Sequence, residues 1–144
     1  MNDFYTQKGY DRKNHNDLSR AMEDYLEMIC RTAKTNEYAR VNAIAAQLNV
    51  TPSSASKMAS KLREKGFVDF EPYGILRPTE KGWETGRYLL RRHEVLHRFF
   101  CLVNQSENEL ELVEQIEHYI NRKTIDNMEK LMERLEEAKQ NKAF

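Results

Sequence analysis

With 144 residues, 40% of them hydrophobic, the chain can build one domain or two small ones around a real core. Only five Gly and three Pro argue against a loop-rich or all-β fold, and no apolar run is long enough for a bilayer span or a signal peptide, so a cytoplasmic protein without a membrane partner is expected. The net charge of zero hides an asymmetry: Met1 to Ser106 carries 17 Lys/Arg against 13 Asp/Glu (+4), and Glu107 to Phe144 carries 6 against 10 (−4), a weak hint of a nucleic-acid-binding front and an acidic back.

Residues 1–16 are polar without apolar periodicity and read as a flexible arm. A first helix is expected from a cap at Asp17 or Ser19, with Met22, Tyr25, Leu26, Ile29, Cys30 and Ala33 as its apolar stripe. Val41 to Leu48 is a short second helix facing inward with Ile44, Ala45 and Leu48; Asn49 and Val50 turn the chain. Thr51 caps a third helix, Pro52 fills its first position, and Gly66 stops it. Phe67 to Phe70 alternates like a strand, Pro72-Tyr73-Gly74 is a turn, and Ile75 to Arg77 is the return strand. A long fourth helix follows from about Thr79 to Leu102, then helices over about Glu109–Ile120 and Thr124–Lys139. Cys30 and Cys101 lie far apart inside helical patterns, so both are expected as reduced, buried thiols.

Helix, short helix, tight turn, helix and two-stranded hairpin, in that order, predict a winged helix-turn-helix. The third helix would enter the major groove. Thr51, Pro52, Ser53, Ser54 and Ser56 are small enough to let its backbone approach the DNA, and their hydroxyls suit phosphates or base edges. Lys57 and Lys61 would supply phosphate contacts, and the wing around Tyr73 would lie over the DNA backbone or minor groove. The fold class is therefore mainly α: an arm over 1–16, a DNA-binding domain over 17–78, and an all-helical domain over 79–144.

Asp24 and Glu27 stand three residues apart and share one helix face; Glu114, Glu117 and His118 are expected on one face of the fifth helix. Both groups lie off the apolar stripes, so periodicity alone reads them as solvated. His97 is expected at the surface; Glu94-x-x-His97 copies half of a di-iron carboxylate signature whose second half the chain lacks.

Several runs taken together resemble the diphtheria toxin repressor family, and within it the manganese-responsive branch. They are Ala21-Met22-Glu23-Asp24-Tyr25-Leu26-Glu27, Tyr38-Ala39-Arg40-Val41, Pro52-Ser53-Ser54-x-x-Lys57-Met58, Arg92-His93-Glu94 and Val113-Glu114-x-Ile116-Glu117-His118. The resemblance covers about Ser19 to Ala138; larger members carry a third, SH3-like domain for which this length leaves no room. It implies a repressor, not an enzyme, that binds double-stranded operator DNA as a homodimer and controls manganese-uptake genes. It also implies two Mn²⁺ per subunit, held by Asp24, Glu27, His93, Glu114, Glu117 and His118. Iron-responsive relatives place Met at the position of Asp24 and Cys at that of Glu114, so both discriminating positions follow the manganese pattern. Oxygen-rich ligands with some imidazole suit Mn²⁺, although other divalent cations would also bind. Dimerisation is expected on the last two helices, where Ile125, Met128, Met132 and Leu135 form a stripe. Two rivals stand beside this reading. One is a winged-helix regulator answering Fe²⁺, Zn²⁺ or a small molecule. The other is a binuclear metalloenzyme, for which the chain offers no nucleophile or general base beyond the ligands.

Overall fold

The computed structural model describes residues 18–142, which divide into two compact units meeting at Thr79 and Glu80. The expected arm over 1–16 and a cap at Asp17 lie outside the described residues.

The first unit begins with α1 (Arg20–Asn36), capped by Ser19, whose hydroxyl accepts the Met22 N–H. The predicted stripe is its buried face: Met22, Tyr25, Leu26, Ile29, Cys30 and Ala33. β1 (Ala39–Arg40) leads straight into α2 (Val41–Gln47), of which Val41, Ile44 and Ala45 are buried and Leu48 only half-buried. Asn49 makes the following turn at φ +56°, a left-handed conformation that Asn tolerates better than most residues. α3 (Pro52–Glu64) then starts on the Thr51 cap and buries Ala55, Ala59 and Leu62. It ends in a Schellman pair: Phe67 N–H donates to the Leu62 carbonyl and Gly66 N–H to that of Arg63. Gly66 takes φ +85° there, at no steric cost for a residue without Cβ.

β2 (Val68–Glu71) and β3 (Ile75–Pro78) form the hairpin around a 3₁₀ turn over Pro72–Gly74. Its sheet has a third strand that periodicity does not reveal: β1 pairs antiparallel with β3, Ala39 opposite Leu76, giving the order β1-β3-β2. Leu26, Ile29, Ile44, Leu62, Val68 and Leu76 are almost fully buried and form the core of this unit. Each such side chain contributes roughly 1.5–3 kcal/mol on burial.

The second unit consists of α4 (Glu80–Asn104), α5 (Leu110–Ile116) with a 3₁₀ turn over Glu117–Tyr119, and α6 (Arg122–Lys142). The fifth helix is shorter than expected, and α6 starts earlier because Asn121 caps it, its Oδ1 accepting the Thr124 N–H at 2.8 Å. Val95, Leu96, Val113, Ile125 and Met132 make the core, with Phe99, Phe100, Ile120 and Met128 packed against it. Arg91 fastens α4 to α6 through Asp126 and Glu129, each at 2.8 Å. Half the stripe assigned to dimerisation is thus spent inside the subunit: Ile125 and Met132 are buried, whereas Leu135 is exposed.

Candidate metal centre and DNA-binding surface

The buried Ala55, Ala59 and Leu62 turn the opposite face of α3 to solvent, at about 100° per residue. Ser53, Ser54, Lys57 and Lys61 occupy that face and are exposed, as is Pro52; Ser56 lies on the flank, half-buried. Thr51 Oγ1 accepts the Ser54 N–H at 3.1 Å and donates to Ser54 Oγ at 2.9 Å, so both hydroxyls already serve the helix start. Losing such a cap costs about 1 kcal/mol. Tyr73 stands at the wing tip, 92% exposed and at φ +67°, and Gly74 follows it at φ +74°.

A basic group that no sequence motif marks gathers at the base of the wing. Arg40 and Arg77 lie 5.7 and 5.3 Å from the centroid of the Tyr38 ring, and Arg77 also reaches Glu71 at 3.2 Å. Arg63 of α3 sits 5.9 Å from the Phe70 ring. The alternation of a two-residue strand is too short to show that Tyr38, Arg40 and Arg77 would meet across β1 and β3.

In the first unit, Asp24 and Glu27 both point away from the buried stripe of α1, and Glu27 Oε2 is 3.5 Å from Arg31. In the second unit, three predicted ligands come together. His93 Nδ1 is 3.0 Å from Glu117 Oε2, and His118 Nε2 is 3.8 Å from Glu117 Oε1. Two expectations are corrected here. Glu117 is 2% exposed rather than solvated. The three acidic-face residues do not share one α-helical face either, because α5 stops at Ile116 and tightens into the 3₁₀ turn. That turn puts Glu117 against His93, while Glu114, a turn earlier on α5, is exposed.

A carboxylate buried to this degree needs charge compensation. Hard oxygen and imidazole donors without thiolate fit a divalent cation such as Mn²⁺. Arg92, which received no role from its place in the Arg-His-Glu run, is also buried, and its Nη2 is 3.4 Å from His118 Nδ1. The one available signal was its spacing between Leu89 and Leu96 on the inward face of α4.

His97 departs from the surface position expected. It is half-buried, and its Nε2 accepts the Glu109 N–H at 3.2 Å with Cys101 Sγ 3.6 Å away. Cys30 is buried as expected; Cys101 is only half-buried, and neither forms a disulfide.

A winged helix-turn-helix joined to a helical unit that gathers a buried carboxylate and two imidazoles defines a class, the metal-responsive DNA-binding regulators. Residues 17–76 match the family model of the iron dependent repressor N-terminal DNA binding domain, and residues 79–142 match that of its metal binding and dimerisation domain. The HTH-type transcriptional regulator MntR of Lysinibacillus sphaericus (strain C3-41) is 38% identical over 118 residues, spanning 81% of this chain and 85% of that protein. The MntR regulator of Bacillus subtilis (strain 168) is likewise 38% identical over 118 residues, spanning 81% and 83%. The structure of the manganese regulator SloR shares the fold at TM-score 0.68 and 23% identity, over 78% of this chain and 53% of that one. The chain belongs to the iron dependent repressor family, among its MntR-type members. It is a metal-dependent transcriptional repressor that binds DNA, takes up divalent metal and forms a homodimer. The resemblance drawn from its motifs is borne out, and its relatives are transcriptional regulators rather than enzymes. Among the described residues, no helix is long and apolar enough to cross a membrane.

Proposed function

We propose that this protein represses manganese-uptake genes: Mn²⁺ fills a two-ion centre, and the loaded homodimer holds operator DNA. Glu117 carries the reading. Its buried carboxylate offers Oε2 to His93 and Oε1 to His118, which suits a carboxylate shared by two cations, each with its own imidazole. Asp24, Glu27 and Glu114 complete the proposed ligand set. Four carboxylates against two divalent ions balance formally, supporting two Mn²⁺ per subunit. The MntR names of the relatives support manganese as the ion. Bound metal would supply the positive charge that lets these carboxylates converge.

In this reading residues 17–78 hold the operator and residues 79–144 bind metal and pair the subunits, in the cytoplasm. Lys57 and Lys61 contact phosphates; Thr51, Pro52, Ser53, Ser54 and Ser56 bring α3 into the major groove, and Tyr73 places the wing. The two recognition helices would meet half-sites about one turn, ~34–36 Å, apart. The test is fluorescence anisotropy with a duplex from upstream of a manganese-uptake gene of the same genome. Binding is expected with Mn²⁺ and should be lost in excess chelator, with Fe²⁺ and Zn²⁺ as parallel titrations. Equal affinity with metal and with chelator overturns the proposal.

A further inference from the structure

Arg92 and Arg91 are neighbours on α4 with different surroundings. Arg91 is spent on Asp126 and Glu129. Arg92 is 3% exposed and directs Nη2 to His118 Nδ1 at 3.4 Å. Its guanidinium lies 6.0 Å from the Tyr88 ring centroid, and the same ring has Arg122 3.9 Å from its centroid. A fixed cation is therefore built in beside residues proposed to bind cations.

Taken as a hydrogen bond, the contact has only one direction open to it. Arginine has no acceptor and keeps its proton, so Arg92 donates and His118 Nδ1 accepts. A neutral ring accepting at Nδ1 carries its proton on Nε2, the nitrogen facing Glu117 Oε1 at 3.8 Å. Histidines that ligate metals ordinarily do the reverse. They donate from the second nitrogen to a carboxylate or carbonyl, which raises ligand basicity, and losing that partner costs 10–100-fold in affinity. A donating guanidinium inverts the sign. A neutral ring has one free lone pair, so an ion can take Nε2 only if the proton leaves it and the Arg92 contact breaks, and it must enter beside a fixed positive charge.

We propose that Arg92 is a brake on metal binding: it lowers the affinity for the ion held by His118 and so raises the metal concentration at which the repressor engages DNA. This rests on the two-ion reading above.

The experiment compares the full-length protein with Arg92→Gln, Arg92→Lys and His118→Gln. Mn²⁺ affinity is measured by competition with a fluorescent chelator, and the His118 ring by ¹⁵N spectra of the metal-free protein. Arg92→Gln removes the charge and should tighten the weaker Mn²⁺ by about tenfold or more. It should also shift the metal-free Nδ1 resonance. Arg92→Lys loses the planar fork but keeps a charge nearby, so a smaller tightening and a shifted resonance are expected. If Arg92→Gln does not fold, Arg92→Lys decides alone. Unchanged or weaker Mn²⁺ binding in a folded variant overturns the brake. If His118→Gln still binds both ions as tightly as the unmodified protein, the two-ion reading itself fails. If His118→Gln loses an ion while the Arg92 variants bind as before, only the role of Arg92 fails.

Discussion

Lys57 and Lys61 stand one turn apart on the exposed face of α3, opposite Ala55, Ala59 and Leu62. An ammonium on a phosphate releases counterions, which makes its contribution sequence-independent and salt-dependent. Lys57→Ala and Lys61→Ala should each weaken operator and random duplex alike and reduce the salt slope by about one. Metal binding should be untouched. Normal affinity and slope in both variants would place the DNA on another surface. Asp24 answers a different question, the choice of ion. Mn²⁺ sits near the weak end of the divalent series, so a site selects it by ligand number and hardness rather than by raw affinity. Asp24→Met removes one hard donor and one negative charge. The operator response to Mn²⁺ should fall while that to Fe²⁺ or Co²⁺ persists or grows, read as DNA binding against free metal under anaerobic conditions. A Mn²⁺ response at the unmodified concentration would remove Asp24 from the ligand set.

At the scale of elements, local chemistry was legible and long-range packing was not. The Ser19 and Thr51 caps, Pro52 at the start of α3 and Gly66 at its end act within a few residues, so the sequence displays them. β1 is two residues long and exists because Leu76 and Ile75 lie beside it, a partnership no short window contains. The tightening of α5 into a 3₁₀ turn is equally hidden. Glu117 and His118 follow the helical pattern in sequence, yet they bond to α4 through the tighter turn. His97 looked like a surface residue because periodicity says nothing of an orphan N–H at Glu109 waiting for an acceptor. That corner between α4 and α5 carries a pH dependence. The Ser106 hydroxyl, then the Asn104 amide and the nearby His97, hold the Glu109 carboxyl below its ordinary range. A carboxylate depressed in the folded state stabilises it fully above the unfolded value and ceases to do so as pH falls through the depressed one. Thermal melts over pH 2 to 6 should therefore show Glu109→Gln flattening part of the acid limb. A limb identical to that of the unmodified protein would mean that the Ser106 and Asn104 contacts do not persist in solution.

At the scale of the whole molecule, the dimer must be built from what the subunit leaves uncovered. Ile125 and Met132, which the helical stripe offered to a partner, are already buried against Val95, Leu96 and Val113. Among the described residues, six of the eight exposed large apolar side chains lie in the second unit: Leu102, Val103, Leu110, Tyr119, Leu131 and Leu135. Leu102 and Leu135 also line an open groove of about 720 Å³ between the C-terminal halves of α4 and α6, where Arg98 and Lys139 flank an apolar floor that includes Met132. A free subunit gains nothing from this surface, and the domain that carries it is of the dimerising kind. The subunits are therefore expected to pair through the end of α4 and the outer face of α6. Leu135→Glu would set a charge where an apolar side chain is to be covered. A symmetric dimer carries the change twice, so forfeiting the burial of two leucines costs about 3–6 kcal/mol, and at about 1.4 kcal/mol per tenfold the dimer dissociation constant should rise roughly a hundred- to ten-thousandfold. Leu102→Glu should act in the same direction, and Ile125→Val, a change inside the subunit core, should lower stability without moving that constant. Sedimentation over a concentration series separates the two effects. Operator affinity should fall with the dimer, because one recognition helix alone reads only one half-site. A Leu135→Glu protein that remains dimeric at nanomolar concentration would show that the subunits meet elsewhere.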